Sequence, residues 1–156
     1  MSAISDLEAI RRAIILYSQL FDDGRYEEWG DLFTQDAEYI SVPGLHRPFG
    51  SQPQPWSALG RTDIVAKCQL AAERLRADGQ ALHLSGPALI EMNGGKADAQ
   101  WDFMILYSKP ESIVPIQAGR IYARFVKQDN RWLFAQRVSV QSGGRIPGGG
   151  AKATYK

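Results

Sequence analysis

The sequence predicts an α+β fold in which helices cover one face of a curved antiparallel sheet. Two observations carry this prediction: helical patterns fill the first half of the chain, and strand patterns joined by short turns fill the second. A third is size, because 156 residues, of which 44% are hydrophobic, suffice for one domain with its own core. We therefore expect a single domain over residues 1–141 and a glycine-rich tail over residues 142–156.

The N-terminal segment has the spacing of a long amphipathic helix. Apolar residues recur every three or four positions over residues 4–21. Ser5 lies three residues before Glu8, which is the pattern of a capped helix start. A short second helix is predicted over residues 26–33, and a third over residues 62–77.

The segment between the second and third helices begins with a strand pattern and continues as a loop. Residues 37–42, "AEYISV", alternate as a strand does. Residues 43–60 then hold four of the eight prolines in the chain, which is unfavourable for a helix or a central strand. We expect an ordered loop there, lying over one face of the domain.

The second half of the chain reads as two β-hairpins. Strand patterns over residues 81–92 and 96–108 are separated by Asn93-Gly94-Gly95, and a second pair is separated by Asp129-Asn130. His83 lies in the first of these strands and shares a face with Ala81 and Ser85. These residues predict an antiparallel meander that follows the helices.

Composition and motifs argue against several classes of function. The net charge of +1 favours neither nucleic acid nor a membrane surface, and no apolar run reaches the length of a transmembrane helix. The single cysteine, Cys68, and the absence of an apolar leader fit a cytoplasmic protein. The two histidines have no cysteine or paired carboxylate at ligand spacing, so no metal site is predicted. The glycine-rich tail lacks the pattern of a phosphate loop, and no cofactor is expected.

The first helix ends in an acidic pair whose two members face different ways. With 3.6 residues per turn, Asp22 lies roughly 100° from the centre of the apolar stripe and Asp23 roughly 160°. Asp23 is therefore expected in water and Asp22 at the edge of the buried face. From spacing alone, Asp22 either caps the turn at Gly24 or pairs with Arg25, or it points into a pocket.

Three stretches resemble the SnoaL-like branch of the nuclear-transport-factor-2-like superfamily, and the pattern is closest to the scytalone-dehydratase-like members. The first, "LYSQLFDDGRYEEWGDLFTQDAEY", carries the pattern at Tyr17, Asp22, Gly24, Tyr26, Leu32-Phe33 and Asp36-Ala37. The second, "LHLSGPALIEMNGGKADAQ", has the histidine that opens a strand in the family. The third, "AGRIYARFVKQDNRWLFAQR", is similar to the Gly-Arg strand and the Arg-Trp hairpin. Together they cover about the first 140 residues.

The resemblance implies a conical barrel, in which a strongly curved, mixed but mostly antiparallel sheet wraps around the long first helix and leaves a deep pocket. Enzymes of this shape include scytalone dehydratase, hexachlorocyclohexane dehydrochlorinase, ketosteroid isomerase and polyketide cyclases. In the dehydratase-like members a histidine of the sheet pairs with an aspartate of the first helix. Here those positions are His83 and Asp22, so the resemblance implies that Asp22 points inward.

Such a pair implies proton abstraction without a cofactor. Asp22 would accept a hydrogen bond from one ring nitrogen of His83 and fix its tautomer. The other nitrogen would take a proton from carbon next to a carbonyl, and the ordinary imidazole pKa of about 6.5 suits a base at neutral pH. Loss of a β-hydroxyl would give dehydration, and return of the proton elsewhere would give isomerisation. Tyr17 is the first candidate to stabilise the enolate oxygen, although a buried tyrosine is equally compatible with the core.

Four further residues are candidates for contact with the substrate. Tyr39 lies on the first strand, and Trp101 and Phe103 belong to an aromatic row on one face of the strand over residues 97–107. Either face of that strand is compatible with the pocket. His46 lies in the proline-rich loop, which in relatives lies near the pocket mouth.

The expected ligand is a small, largely apolar carbonyl compound. The strand after Gly119-Arg120 carries Ile121 and Ala123, where relatives often have polar or aromatic residues, and this favours an apolar pocket wall. Two other classes remain open. One is a non-catalytic module that binds a small molecule, and the other is a structural subunit that resembles the β subunit of ring-hydroxylating dioxygenases.

The outer face of the sheet is a candidate interface between copies of the chain. In "RWLFAQRVSV" both alternating faces carry apolar residues, which an exposed sheet face would not require. We therefore expect a homo-oligomer, either a dimer or a trimer, that assembles through this face.

Overall fold

The computed structural model describes residues 5–44, 55–76 and 79–142. His46 and residues 143–156, which include nearly all of the predicted glycine-rich tail, lie outside the described residues. The fold is α+β, as predicted, with three helices and one curved mixed sheet that does not close on itself.

The helices are α1 (Asp6–Asp22), α2 (Tyr26–Gly30) and α3 (Arg61–Leu75). The predicted cap of α1 is confirmed, because the Ser5 hydroxyl accepts a hydrogen bond from the backbone N–H of Glu8 at 3.2 Å. The predicted end of α2 at residue 33 is wrong, since the chain has already entered the first strand there. None of the described helices is long and apolar enough to cross a membrane.

Seven strands form one sheet: β1 (Phe33–Val42), β2 (Trp56–Leu59), β3 (Gln80–Ser85), β4 (Leu89–Asn93), β5 (Lys96–Lys109), β6 (Ser112–Gln128) and β7 (Arg131–Gln141). Their order is β2-β1-β7-β6-β5-β3, with β4 paired to β5 beside β3. The β1–β7 pair is parallel and every other pair is antiparallel, which confirms the mixed, mostly antiparallel sheet.

Two features differ from the strands that the sequence predicts. The end of the predicted loop is strand β2, which pairs with β1 at the edge of the sheet. An edge strand needs partners on one side only, so it tolerates the proline, Pro55, directly before it. Residues 81–92, where the sequence predicts one strand, belong to two strands, because the pairing with β5 is interrupted between Ser85 and Leu89.

Both predicted turns are present. Gly94 has φ of 58° in the β4–β5 turn, and Asp129 and Asn130 have φ of 48° and 60° in the β6–β7 turn. Two consecutive positive φ angles are the signature of the two-residue hairpin turn that matches strand twist. These turns set the register of the hairpins that carry the long strands.

The concave face of the sheet holds the core and the helices. Helix α1 packs against β3 and β7. Along β5 the inward residues are buried, namely Ala97, Ala99, Trp101, Phe103, Ile105 and Tyr107. On the opposite face Asp98 pairs with Arg124 at 3.4 Å and Asp102 with Arg120 at 2.7 Å. The aromatic row of β5 is therefore the inner face of the sheet.

Candidate functional site

A cavity of about 350 Å³ opens between α1, α3 and the concave face of the sheet. Helix α1 contributes Tyr17, Ser18, Phe21 and Asp22, and β3 contributes His83. The two elements are far apart in the sequence, and the curvature of the sheet around α1 brings Asp22 and His83 to one wall.

Asp22 and His83 make a double contact. The carboxylate oxygen Oδ2 accepts the backbone N–H of His83 at 2.8 Å, and Oδ1 lies 2.5 Å from its ring Nδ1. An ionised carboxylate only accepts hydrogen bonds, so a neutral imidazole that donates to Asp22 would carry its proton on Nδ1 and have Nε2 as the acceptor nitrogen. The pair is largely enclosed, with side-chain exposures of 9% for Asp22 and 17% for His83. The ring of Phe21 meets the imidazole edge to face at 5.3 Å and restricts its orientation.

The end of α1 explains why Asp22 turns inward. Asp22 is the last helical residue, and Asp23 follows as an exposed cap. The Arg76 guanidinium donates to the backbone carbonyls of Phe21 and Asp22, so a cation satisfies the end of the helix. Arg25 does not pair with Asp22, because it is bound to Glu28 instead.

Two tyrosine hydroxyls meet in the same cavity. The hydroxyls of Tyr17 and Tyr39 are 3.0 Å apart, and both residues line the cavity. Burial raises the pKa of Tyr17 well above its usual range, and burial likewise raises the pKa of Tyr39. Both side chains are therefore neutral hydrogen-bond donors near neutral pH. Tyr17 packs its ring against the core ring of Trp29 at 5.3 Å while its hydroxyl faces Tyr39.

Arg137 also lines the cavity and is only 3% exposed, although it is not among the site residues that the sequence predicts. Its guanidinium carbon lies 4.4 Å from the ring centroid of Tyr17 and 4.8 Å from that of Tyr39. Its Nε and Nη1 atoms are buried without a hydrogen-bond partner among the described residues. A buried guanidinium in this state is unusual, because charged groups are normally paired when they leave water.

A β-bulge explains why regular alternation hides Arg137. Phe125 pairs with Phe134 whereas Arg124 pairs with Gln136, so Ala135 is an extra residue in β7. Phe134 and Arg137 consequently both face inward, although strict alternation places them on opposite faces. The signal in the sequence was the polar series Arg137, Ser139 and Gln141 at every second position, all of which are buried.

The remaining candidates fall into three groups. Tyr39 and Phe103 line the cavity, as does Ile121. Trp101 does not line it: the side chain is 2% exposed and belongs to the aromatic core. Alternation left the inward face of β5 open; the aromatic row is that face, and the cavity covers only part of it. His46 lies outside the described residues.

The cavity is more polar than the sequence predicts. The hydroxyls of Ser18 and Ser85 are 3.1 Å apart next to His83. On the β7 side, Ser139 donates to Ser41 at 3.4 Å. Cys68 also lines the cavity, and burial raises the pKa of its thiol to about 12. Within residues 5–44, 55–76 and 79–142, no three side chains of His, Cys, Asp and Glu are grouped as a metal ion would require.

The family model of the SnoaL-like domain matches residues 2–138. The chain belongs to this family. No curated protein sequence matches it.

Solved structures share the fold of this SnoaL-like chain. A candidate scytalone dehydratase from Novosphingobium aromaticivorans has a TM-score of 0.70 at 20% identity, with 90% of this chain and 86% of that chain covered. The β subunit of a candidate aromatic-ring-hydroxylating dioxygenase from the same organism has a TM-score of 0.68 at 22% identity, covering 88% and 90%. A protein from Catenulispora acidiphila in complex with S-DNPA has a TM-score of 0.66 at 21% identity, covering 85% and 90%. At these identities the likeness establishes the fold.

Proposed function

We propose that the protein is a cofactor-independent lyase or isomerase in which His83 removes a proton from carbon next to a carbonyl group. The observation that carries this proposal is the double contact between Asp22 and His83 at the cavity wall. A carboxylate that holds Nδ1–H orients the imidazole and stabilises the imidazolium that forms when Nε2 takes a proton.

The other cavity residues have roles that follow from this step. Proton removal leaves negative charge on the carbonyl oxygen, and the neutral hydroxyl of Tyr17 is a suitable donor to it. Tyr39 supports Tyr17 through the hydroxyl contact, and Phe103 provides apolar surface for the body of the substrate. The His83 imidazolium then returns its proton, either to a β-hydroxyl that leaves as water, which is dehydration, or to another carbon of the enolate, which is isomerisation. The structural likeness to a candidate scytalone dehydratase supports the first outcome.

A second candidate function is a non-catalytic module, and the likeness to a dioxygenase β subunit favours it. Such a subunit requires a partner chain of different sequence, which would be retained during purification from the native cell. It does not require an enclosed ionisable pair in a cavity. The contact between Asp22 and His83 therefore favours the enzyme.

The test combines a structural and a chemical readout. Nitrogen-15 NMR of the His83 ring is expected to show the tautomer with the proton on Nδ1 in the intact protein and to lose that preference in Asp22→Asn. In deuterated water, a panel of cyclic ketones and β-hydroxyketones is then screened for exchange of the carbon-bound proton. We expect His83→Gln to lower the exchange rate at least about 100-fold, and we expect Asp22→Asn to lower it as well.

Asp23→Asn is the matched control, because it removes the neighbouring carboxylate that faces water. It should leave the tautomer and the exchange rate unchanged. A His83 ring without a preferred tautomer, or proton exchange that survives His83→Gln, would contradict the proposal. Either result would favour the non-catalytic module.

A further inference from the structure

The charges around the cavity are unbalanced. Among the described residues that line it, Arg74, Arg76 and Arg137 are cationic, and Asp22 is the single carboxylate. That carboxylate is already committed to His83 through both oxygens. The cavity therefore has a positive potential without an acidic side chain left to offset it.

Arg137 is the centre of this imbalance. It is 3% exposed, forms no ion pair within the described part of the chain, and has Nε and Nη1 unpartnered there. The rings of Tyr17 and Tyr39 contact the guanidinium and compensate part of its desolvation through cation–π attraction. They supply no counter-charge. A guanidinium matches a carboxylate in shape and charge, so an anion in the cavity would complete the site.

Two exposed arginines also line the cavity. Arg74 and Arg76 contribute to it from the end of α3 and are open to solvent. Positive side chains that line a cleft raise the local concentration of anions and their rate of association. Their position is an observation separate from the burial of Arg137, and both point to the same ligand charge.

We propose that the ligand of this cavity is a small organic carboxylate with an apolar, ring-sized body, and that Arg137 binds the carboxylate. This inference rests on the proposed function for the part played by His83. Arg137 stacks on Tyr17, whereas His83 pairs with Asp22, five residues and about 7.5 Å further along α1. The carboxylate and the acidic carbon consequently occupy opposite ends of the substrate, with the carbonyl group between them.

The test measures binding and needs no turnover. The probes are 2-naphthoate and 2-naphthamide, which share an apolar body and differ in charge at one group. Calorimetric titration should show that the intact protein binds the carboxylate about 10-fold to 100-fold more tightly than the amide. Arg137→Met should abolish this preference and leave amide affinity unchanged, and Arg137→Lys should retain part of it.

Arg120→Met is the matched control, because Arg120 lies on the outer face of the sheet, paired with Asp102. It should keep the full preference. Thermal unfolding of each variant verifies folding, and Arg137→Met is expected to melt no lower than the intact protein, since it removes a buried charge that has no counter-charge. Equal affinity for both probes, no measurable binding of 2-naphthoate, or a preference that survives Arg137→Met would overturn the inference.

One further variant separates this inference from the proposed function. His83→Gln should bind 2-naphthoate as tightly as the intact protein while losing proton exchange. If His83→Gln loses exchange but Arg137→Met keeps the preference, the enzyme proposal stands and the carboxylate site falls. If instead His83→Gln keeps proton exchange and Arg137→Met loses the preference, the carboxylate site stands and the enzyme proposal falls.

Discussion

At the scale of single residues, the carboxylate of Asp22 has a structural task besides the one proposed for it in catalysis. One oxygen binds the imidazole of His83 and the other binds the backbone N–H of the same residue. The side chain therefore anchors the middle of β3 to the end of α1. Substitutions at this position act on the position of the strand as well as on the ring.

Asp22→Ala should lower the free energy of unfolding by about 1–3 kcal/mol, because it leaves the largely enclosed backbone N–H of His83 without an acceptor. Asp22→Asn keeps an amide oxygen that can accept from this N–H, so its loss of stability should be smaller. Urea denaturation measures both. Asp23→Ala is the control, since its exposed carboxylate should contribute less than about 0.5 kcal/mol. Equal stability of Asp22→Ala and the intact protein would contradict the anchoring role.

Cys68 gives a second prediction, based on the pKa of its thiol. Burial raises this pKa from 9.0 to about 12. At pH 8 the thiolate fraction is then about 1000-fold lower than for an ordinary thiol, so Ellman's reagent should react at least that much more slowly with the native protein than in denaturant. Rapid reaction of the native protein would show that the thiol is not enclosed.

The same shift affects stability at alkaline pH. The folded pKa of Cys68 is above the unfolded value, so its contribution is fully present below about pH 9 and declines as the pH rises towards about 12. Cys68→Ala removes the group that titrates. Its unfolding free energy should therefore fall less steeply over this range than that of the intact protein.

At the scale of elements, caps, turns and short periodic patterns predict most of the helices and strands. They do not predict a β-bulge, which depends on how two strands pair. The cap at Ser5 and the turn at Asp129-Asn130 are short-range features, and each is present where the sequence places it. The bulge at Ala135 depends on how β6 and β7 pair over many residues. For that reason the sequence indicates a strand but not that Arg137 faces the cavity.

Gly119 tests how closely β6 and β7 approach each other beyond this bulge. A Cβ added at Gly119 would lie 2.1 Å from the backbone oxygen of Val140, so a side chain forces the strands apart. Gly119→Ala should lower the unfolding free energy by about 1–3 kcal/mol. It should also weaken ligand binding, because the paired residue, Gln141, lines the cavity.

Gly95→Ala is the matched control for this prediction. A Cβ at Gly95 meets no atom within 4 Å, and Gly95 is not among the glycines with positive φ. Urea denaturation should show a change below about 0.5 kcal/mol for this variant. A similar loss in both variants would mean that β6 and β7 do not pack as closely as described.

At the scale of the whole molecule, the site depends on contacts between segments that are distant in the sequence. Asp22 and His83 are 61 residues apart and meet because the sheet curves around α1. Spacing within the first helix alone left the direction of Asp22 open, and the family resemblance, rather than periodicity, indicated its partner. The extent of the cavity along the sheet is set by packing, so Phe103 lines it whereas Trp101, two residues earlier on the same face of β5, is buried in the aromatic core.

The outer face of the sheet is the predicted interface between copies of the chain. Several apolar residues remain exposed there, none of the large ones on β7, and three of them are neighbours on β3 and β5: Leu82, Leu84 and Met104 are 48%, 44% and 40% exposed. Leu84 is opposite Met104 in the antiparallel register, so the three side chains form one stripe. A stripe of this kind on two copies is complementary to itself, which suits an interface with twofold symmetry.

We therefore expect a homodimer in which Leu84 lies near the centre of the interface. Light scattering coupled to size-exclusion chromatography should give twice the chain mass for the intact protein and the mass of one chain for Leu84→Glu, because a buried carboxylate opposes association. Leu59→Glu is the control, since Leu59 is 73% exposed on the edge strand β2 and away from the stripe. A threefold mass would point to a heterologous ring instead, and a single-chain mass for the intact protein would contradict the interface. If Leu84→Glu is a monomer that still binds its ligand, the cavity is complete within one chain.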